Sequence, residues 1–304
     1  MVNQSTIARK VVSAGLGLHS GEDVEITLLP APVESGIVFV LRGAGEGDGE
    51  GEGDEYRSSE IEVPADIRRV YSSSRATTLA TEGYPSDGRP PPHIATVEHL
   101  LAAIFALDIQ NLRIEVFGSE VPIMDGSALP FVVALRSAGR VTQDAPRREF
   151  EVEEPFEIRE GDRSIRVEPA NDLRISYGID FDHPKIGRQF VEILKLDDKV
   201  FEQEIAPART FGFLHEVEAL RKAGLAIGGS LDTAVVLDEE GVLNAGGLRW
   251  PDEFVRHKVI DLVGDLALLG ARPKAHIKVE RGGHRLHHRL VEELETRMRL
   301  GSVS

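Results

Sequence analysis

The segment from Phe254 to Leu268 restricts the possible fold more than any other part of the chain. Its apolar residues recur at helical spacing, which predicts a helix over 252–269, with Pro251 and Asp252 at its start and Gly270 at its stop. Side chains four apart share a helical face, so His257, Asp261 and Asp265 stack in one row, with Gly264 and Leu268 beside them. Val255, Val259, Leu262, Val263 and Leu266 take the opposite face, and Ile260, Ala267 and Leu269 make the flanks apolar too. A helix of this kind has protein on most sides, and its carboxylates need partners because unpaired buried charge is costly. His and Asp at i and i+4 can close on one metal ion, and zinc accepts both imidazole nitrogen and carboxylate oxygen. In isolation such a pair is more often a solvated face, but the apolar surroundings argue against that here. A third ligand must come from elsewhere.

The bulk properties narrow the field. With 304 residues the chain is long enough for two ordinary domains or one large one. A hydrophobic fraction of 41% and a charged fraction of 28% are those of a globular protein, and no apolar run is long enough to span a bilayer. The opening residues Met1 to Thr6 lack the apolar core of a signal peptide. There is no cysteine, which excludes disulfides and thiolate metal sites and fits a cytoplasmic location. A net charge of −16 argues against nucleic acid as a partner, since a phosphate backbone needs a basic surface. Six of the acids lie among glycines in the stretch 43–55, which cannot bury apolar area and reads as a loop; its spacing does not match an EF-hand.

Taken in order, residues 9–42 read as strands and glycine turns, with Val24 to Leu29 alternating like a half-buried strand and His19 in a Gly-rich turn. Strand candidates follow at 60–64 and 76–80, then a proline-rich connection, 85–92. Thr96 to Leu107 predicts a helix capped by Thr96, with Glu98 and His99 in its first turn. A strand over 111–117 and a second helix from Leu129 to Ser137 complete the first half. The second half echoes this order, with a hairpin from Glu149 through the Gly161-Asp162 turn to Val167, a strand over 174–180, the helix 252–269, a strand over 275–279 and a helix over 285–299. The expected fold is α+β: two similar domains, 1–145 and 146–304, each a mainly antiparallel sheet with two helices. An excursion over 211–243 interrupts the second, with a helix to Ala223 and a strand over 233–237.

His99, His257 and Asp261 make three nitrogen and oxygen ligands with one position left for water, the layout of a catalytic rather than a structural zinc. Glu98, beside His99, can reach that water without binding the metal. His284, at a Gly-Gly turn, can donate a proton to a leaving group, with Asp265 orienting its imidazole and keeping it protonated.

Several motifs in this order resemble the UDP-3-O-acyl-N-acetylglucosamine deacetylases, zinc amidases of lipid A biosynthesis. They are Gly15 to Gly21, Thr96 to Leu100, Pro122 to Ser127, Ala208 to Phe213, Gly228 to Ser230, His257 through Asp265, and His284. The resemblance implies helices sandwiched between two sheets and a small insert in each domain. It implies zinc, or ferrous iron as the native metal, on His99, His257 and Asp261, with Glu98 as general base, His284 paired to Asp265 as general acid, and Thr210 donating to the oxyanion. Lys258 and His19 would face substrate phosphate or sugar, with Arg281 near the diphosphate. The second insert would line an acyl passage with Phe211, Leu214, Val217, Ala226, Ala234 and Val236. The implied substrate is an acylated UDP-amino-sugar, and the implied protein a monomer. The loop 43–55 and the stretch 85–92 depart from the family pattern outside its motifs.

Two other readings compete. Two histidines and a carboxylate also form the facial triad of non-haem iron oxygenases, but a base-competent Glu98 beside a ligand favours hydrolysis. A metal-stapled carrier of acyl nucleotide sugars would need a closed coordination shell, which Glu98, His284 and Thr210 speak against.

Overall fold

The computed structural model describes residues 2–42, 60–83, 90–216 and 226–301. The acidic loop 43–55 and residues 84–89 of the proline-rich stretch fall outside them, as do Val217 and the part of the expected helix over 217–225.

Two sheets of matching topology organise the chain. In the first, the spatial order is Val11–Leu16, Asp23–Pro30, Leu112–Phe117, Ile37–Arg42 and Glu60–Pro64. In the second it is Phe156–Glu160, Arg163–Pro169, Arg272–Glu280, Arg174–Phe181 and Gly187–Ile193. Each sheet receives its last strand in the middle, antiparallel to the second strand and parallel to the third, and all its other pairs along this order are antiparallel. The echo between the halves is therefore a repeated topology. One strand departs from expectation. Glu149–Glu151 does not join the hairpin but pairs in parallel with the start of Arg272–Glu280, leaving Phe156–Glu160 to pair with Arg163–Pro169.

The strands alternate because one face is covered: Val24, Ile26 and Leu28 are buried while Glu25 is exposed. What covers the sheets is a layer of four helices, α1 (Glu98–Ala106), α2 (Leu129–Ala138), α3 (Glu253–Ala267) and α4 (His284–Gly301). Helix α1 packs on α3, α2 on α1, and α4 on α3, and their apolar side chains join those of both sheets in one core. The α1–α3 contact is close because of Gly264. A Cβ there would stand 2.1 Å from the carbonyl oxygen of Glu98, so only glycine lets the two helices touch at that point.

Helix α1 starts later than its sequence suggests. Its N-cap is Val97, and Thr96 does not cap it: Thr96 has a φ of 57° and gives its hydroxyl to Glu120 instead, 2.6 Å away. Each half carries a small insert. The first is a three-stranded sheet of Val70–Ser72, Thr78–Ala80 and His93–Ile94, and the second pairs Phe211–Phe213 in parallel with Val235–Leu237. The chain start, Asn3–Ile7, pairs with Arg140–Pro146 where one half passes into the other. Among the described residues no helix is long and apolar enough to cross a membrane.

Candidate metal centre and active site

Where α1 meets α3, their polar side chains converge. His99 projects from the first turn of α1, and His257 and Asp261 from successive turns of α3. All three are buried, with one ligand atom from each lying within 4.8 Å of the others. The imidazoles of His99 and His257 meet edge to face, 4.9 Å between centroids. His257 gives its Nδ1 proton to the carbonyl of Ala208 at 3.1 Å, which turns Nε2 toward Asp261 Oδ1 at 3.4 Å. The other oxygen of Asp261 accepts from Lys258 Nζ at 2.8 Å. The donor set therefore fits a metal: two nitrogens and a carboxylate oxygen are what zinc takes, and His257 and Asp261 are oriented by second partners.

The protonation states agree. Burial, reinforced by the neighbouring His257, pulls His99 down to about 3, and burial lowers His257, so both rings are neutral as metal ligands must be. Burial works against the charge of Asp261, but Lys258, helped by the imidazolium of His284, outweighs it and holds the carboxyl well below the usual range.

Glu98 and His284 stand beside this set. Glu98 accepts the backbone N–H of Thr77 at 3.1 Å, and its other oxygen lies 3.8 Å from His284 Nε2. Burial pushes Glu98 up to about 7 without a metal, and a cation next door would pull it down. His284 hydrogen-bonds through Nδ1 to Asp265 Oδ2 at 2.8 Å. Burial opposes the imidazolium, but the charge and hydrogen bond of Asp265 win and raise it to about 9. A buried carboxylate poised as a proton acceptor thus faces an imidazole that holds its proton.

These groups close one end of a cavity of about 500 Å³ that also touches His19, Lys258 and Thr210. The rest of its wall is largely apolar and includes Phe211, Leu214, Ala226, Ala234 and Val236. Leu18, Phe181, Leu231 and Leu243 also line it and went unnoticed in the sequence. Leu214, Leu231 and Leu243 are exposed, so the apolar end opens outward. Arg281 is not among the lining residues; it sits in the left-handed region at φ 53°, its guanidinium held by Asp162 and Asp180. Val217 lies outside the described residues.

Several supports of the site escaped the sequence reading. The buried Glu120 accepts the backbone N–H groups of His19 and Ser20, each at 3.1 Å, as well as the Thr96 hydroxyl, and so holds the turn that carries His19. The buried Glu253 accepts from Arg209 Nε at 2.8 Å and from the backbone N–H of Arg249 at 2.6 Å, clamping the start of α3 to the loop that carries Ala208 and Thr210. Asp265 also binds His287 and His288, whose spacing from His284 along one helix face was a signal in plain view.

Two α+β halves of repeated topology are thus joined over a buried His-His-Asp set that could hold a metal ion, with a carboxylate and an Asp-backed histidine at its edge. Comparison with known proteins gives the family. The chain belongs to the UDP-3-O-acyl N-acetylglycosamine deacetylase family, whose model matches residues 4–296. Curated relatives named UDP-3-O-acyl-N-acetylglucosamine deacetylase include one from Oleidesulfovibrio alaskensis, 45% identical over 94% of this chain and 87% of its own length. Another, from Syntrophotalea carbinolica, is 42% identical over 97% of this chain and 88% of its own. A third, from Geotalea uraniireducens, is 41% identical over 98% and 90%.

Proposed function

We propose that this protein hydrolyses the N-acetyl group of UDP-3-O-acyl-N-acetylglucosamine, releasing acetate and the free amine, as the committed step of lipid A biosynthesis. Zinc, or ferrous iron in the cell, is the expected cofactor, and the enzyme is read as a cytoplasmic monomer. The domain boundary is drawn near residue 145. The observation that carries the reading is the meeting of His99, His257 and Asp261 with Glu98 and His284 at the closed end of a half-apolar cavity.

A metal on His99, His257 and Asp261 would supply Lewis acidity and activate a water. The remaining chemistry belongs to the chain. Glu98 takes the proton of the attacking water, a role suited to a carboxylate whose Oε2 is held by Thr77 N–H. Thr210, at the cavity wall, donates its hydroxyl to the oxyanion that develops on the acetamide carbonyl. His284, kept protonated by Asp265, gives its proton to the departing amine, which otherwise leaves poorly. Lys258 and His19 line the same cavity and offer a cation and an imidazole to substrate phosphate or sugar. Phe211, Leu214, Ala226, Ala234 and Val236 line the cavity, and with Val217 they would form the passage for the acyl chain. Arg281 remains assigned to the diphosphate, a role that would require it to leave Asp162 and Asp180.

Glu98→Gln tests the reading. It should keep its metal and lose acetate release by roughly 10²-fold or more, the scale for removing a general base. Near-native acetate release from that variant would remove Glu98 from the mechanism.

A further inference from the structure

Thr77 spends every polar group it has on the site. It is fully buried, just before the strand Thr78–Ala80 of the first insert. Its backbone N–H donates to Glu98 Oε2 at 3.1 Å, and its carbonyl accepts from Val97 N–H at the start of α1, at 3.3 Å. Its hydroxyl donates to Asp265 Oδ1 on α3 at 2.6 Å. That same oxygen lies 3.2 Å from His284 Nδ1 and 3.0 Å from His288 Nε2. Asp265, His284 and His288 offer ligand atoms within 4.8 Å of one another, but the Thr77 oxygen already stands among them. The cluster is thus a hydrogen-bond hub, and a cation there would have to displace the hydroxyl.

We propose that Thr77 is a positioning residue that ties the proton acceptor Glu98 to the Asp265–His284 proton donor and fixes the carboxylate of Asp265 against the imidazole. The inference rests on the roles given above to Glu98 and His284. The backbone of Thr77 fixes one oxygen of Glu98, leaving the other to face the site. Its hydroxyl takes one oxygen of Asp265, so that the other meets His284 Nδ1. Around His284 stand Asp265 and Asp261 on α3, Glu98 on α1, and His287 and His288 on its own helix. His287 is pinned between Asp265 Oδ2 at 2.9 Å and Tyr177 OH at 3.0 Å.

Thr77→Val keeps the shape and the backbone N–H and removes only the hydroxyl. With one donor fewer, Asp265 holds the proton of His284 more tightly, so the donor becomes a weaker acid. In the metal-loaded enzyme kcat should fall roughly tenfold with KM unchanged, and the basic limb of the pH–rate profile should move to higher pH. Thr77→Ser, which restores the hydroxyl, should recover both. Should Thr77→Val not fold, the smaller Thr77→Ala carries the same expectation. A hydroxyl-free variant with native kcat and an unmoved limb would overturn the proposal, as would Thr77→Ser falling as far as Thr77→Val. Nitrogen-15 NMR of histidine-labelled protein follows His284 without turnover and should show the same upward shift in Thr77→Val but not in Thr77→Ser. A wild type that releases no acetate would sink the functional reading, while that NMR shift, by its presence or absence, would still decide the role of Thr77.

Discussion

His284 keeps its proton because of a buried carboxylate, and the consequence is measurable. Burial alone would lower an imidazole, yet Asp265 lifts His284 to about 9. A general acid must be protonated and a general base deprotonated, so the rate of acetate release should be bell-shaped in pH. Its basic limb should fall as His284 loses its proton near pH 9, and its acidic limb belongs to Glu98 and the groups coupled to it. His284→Ala should keep its metal but lose the basic limb; a limb that persisted at near-native rate would point to another donor, with Lys258 the next candidate. The linkage to stability has the same sign. Because the folded-state pKa of His284 lies above its unfolded value, its contribution is present below pH ~6.5 and disappears as pH rises through about 9. At this scale His257, Asp261 and Asp265 could be picked out from one helical row and Glu98 with His99 from adjacency, because those depend on local geometry, while His284 stood out at a Gly-Gly turn. Thr77 could not, since its partners Asp265 and His284 lie far along the chain, and nothing near Thr77 in sequence announces them.

The helix pair α1–α3 brings together a His-His-Asp set that neither helix holds alone. Gly264 permits the contact. An alanine there would set its Cβ against the Glu98 carbonyl at 2.1 Å, and the helices would have to part. Overpacking of this kind costs about 1–3 kcal/mol, and it would draw His99 away from His257 and Asp261. Gly264→Ala should therefore lower both the denaturation midpoint and the bound metal; unchanged values for both would mean the contact does not position the ligands. The second insert makes a separate prediction. Ala234→Phe should fill the apolar part of the cavity without touching the ligands, so activity on a long-acyl substrate should fall much further than on a short-acyl analogue. Equal losses on the two would remove the case for an acyl passage there. The elements themselves were legible where patterning was strong, as in α3 and the strand Asp23–Pro30. The start of α1 was misread because the Thr96 side chain is committed to Glu120. Glu149–Glu151 was misplaced because its partner, Arg272–Glu280, lies far along the chain, and local pattern does not choose partners.

At the scale of the whole molecule, the repeat explains why the site lies where it does. Each half places a helix against the other's, and the first half gives Glu98 and His99 while the second gives His257, Asp261, Asp265 and His284. The sequence showed the order of elements in both halves, which is why the architecture could be anticipated. It did not show that each sheet takes its last strand into its centre, because that depends on pairings between distant segments. The assembled site is proposed to be a metal-dependent deacetylase. This is tested most directly by measuring, on one preparation, metal content and acetate release from UDP-3-O-acyl-N-acetylglucosamine, for the wild type before and after chelation and for His257→Ala. About one tightly bound metal per chain is expected, with activity lost on chelation and restored by zinc, and little metal or activity in His257→Ala. Full acetate release from metal-free protein, or a full equivalent of tightly bound metal in His257→Ala, would contradict that expectation.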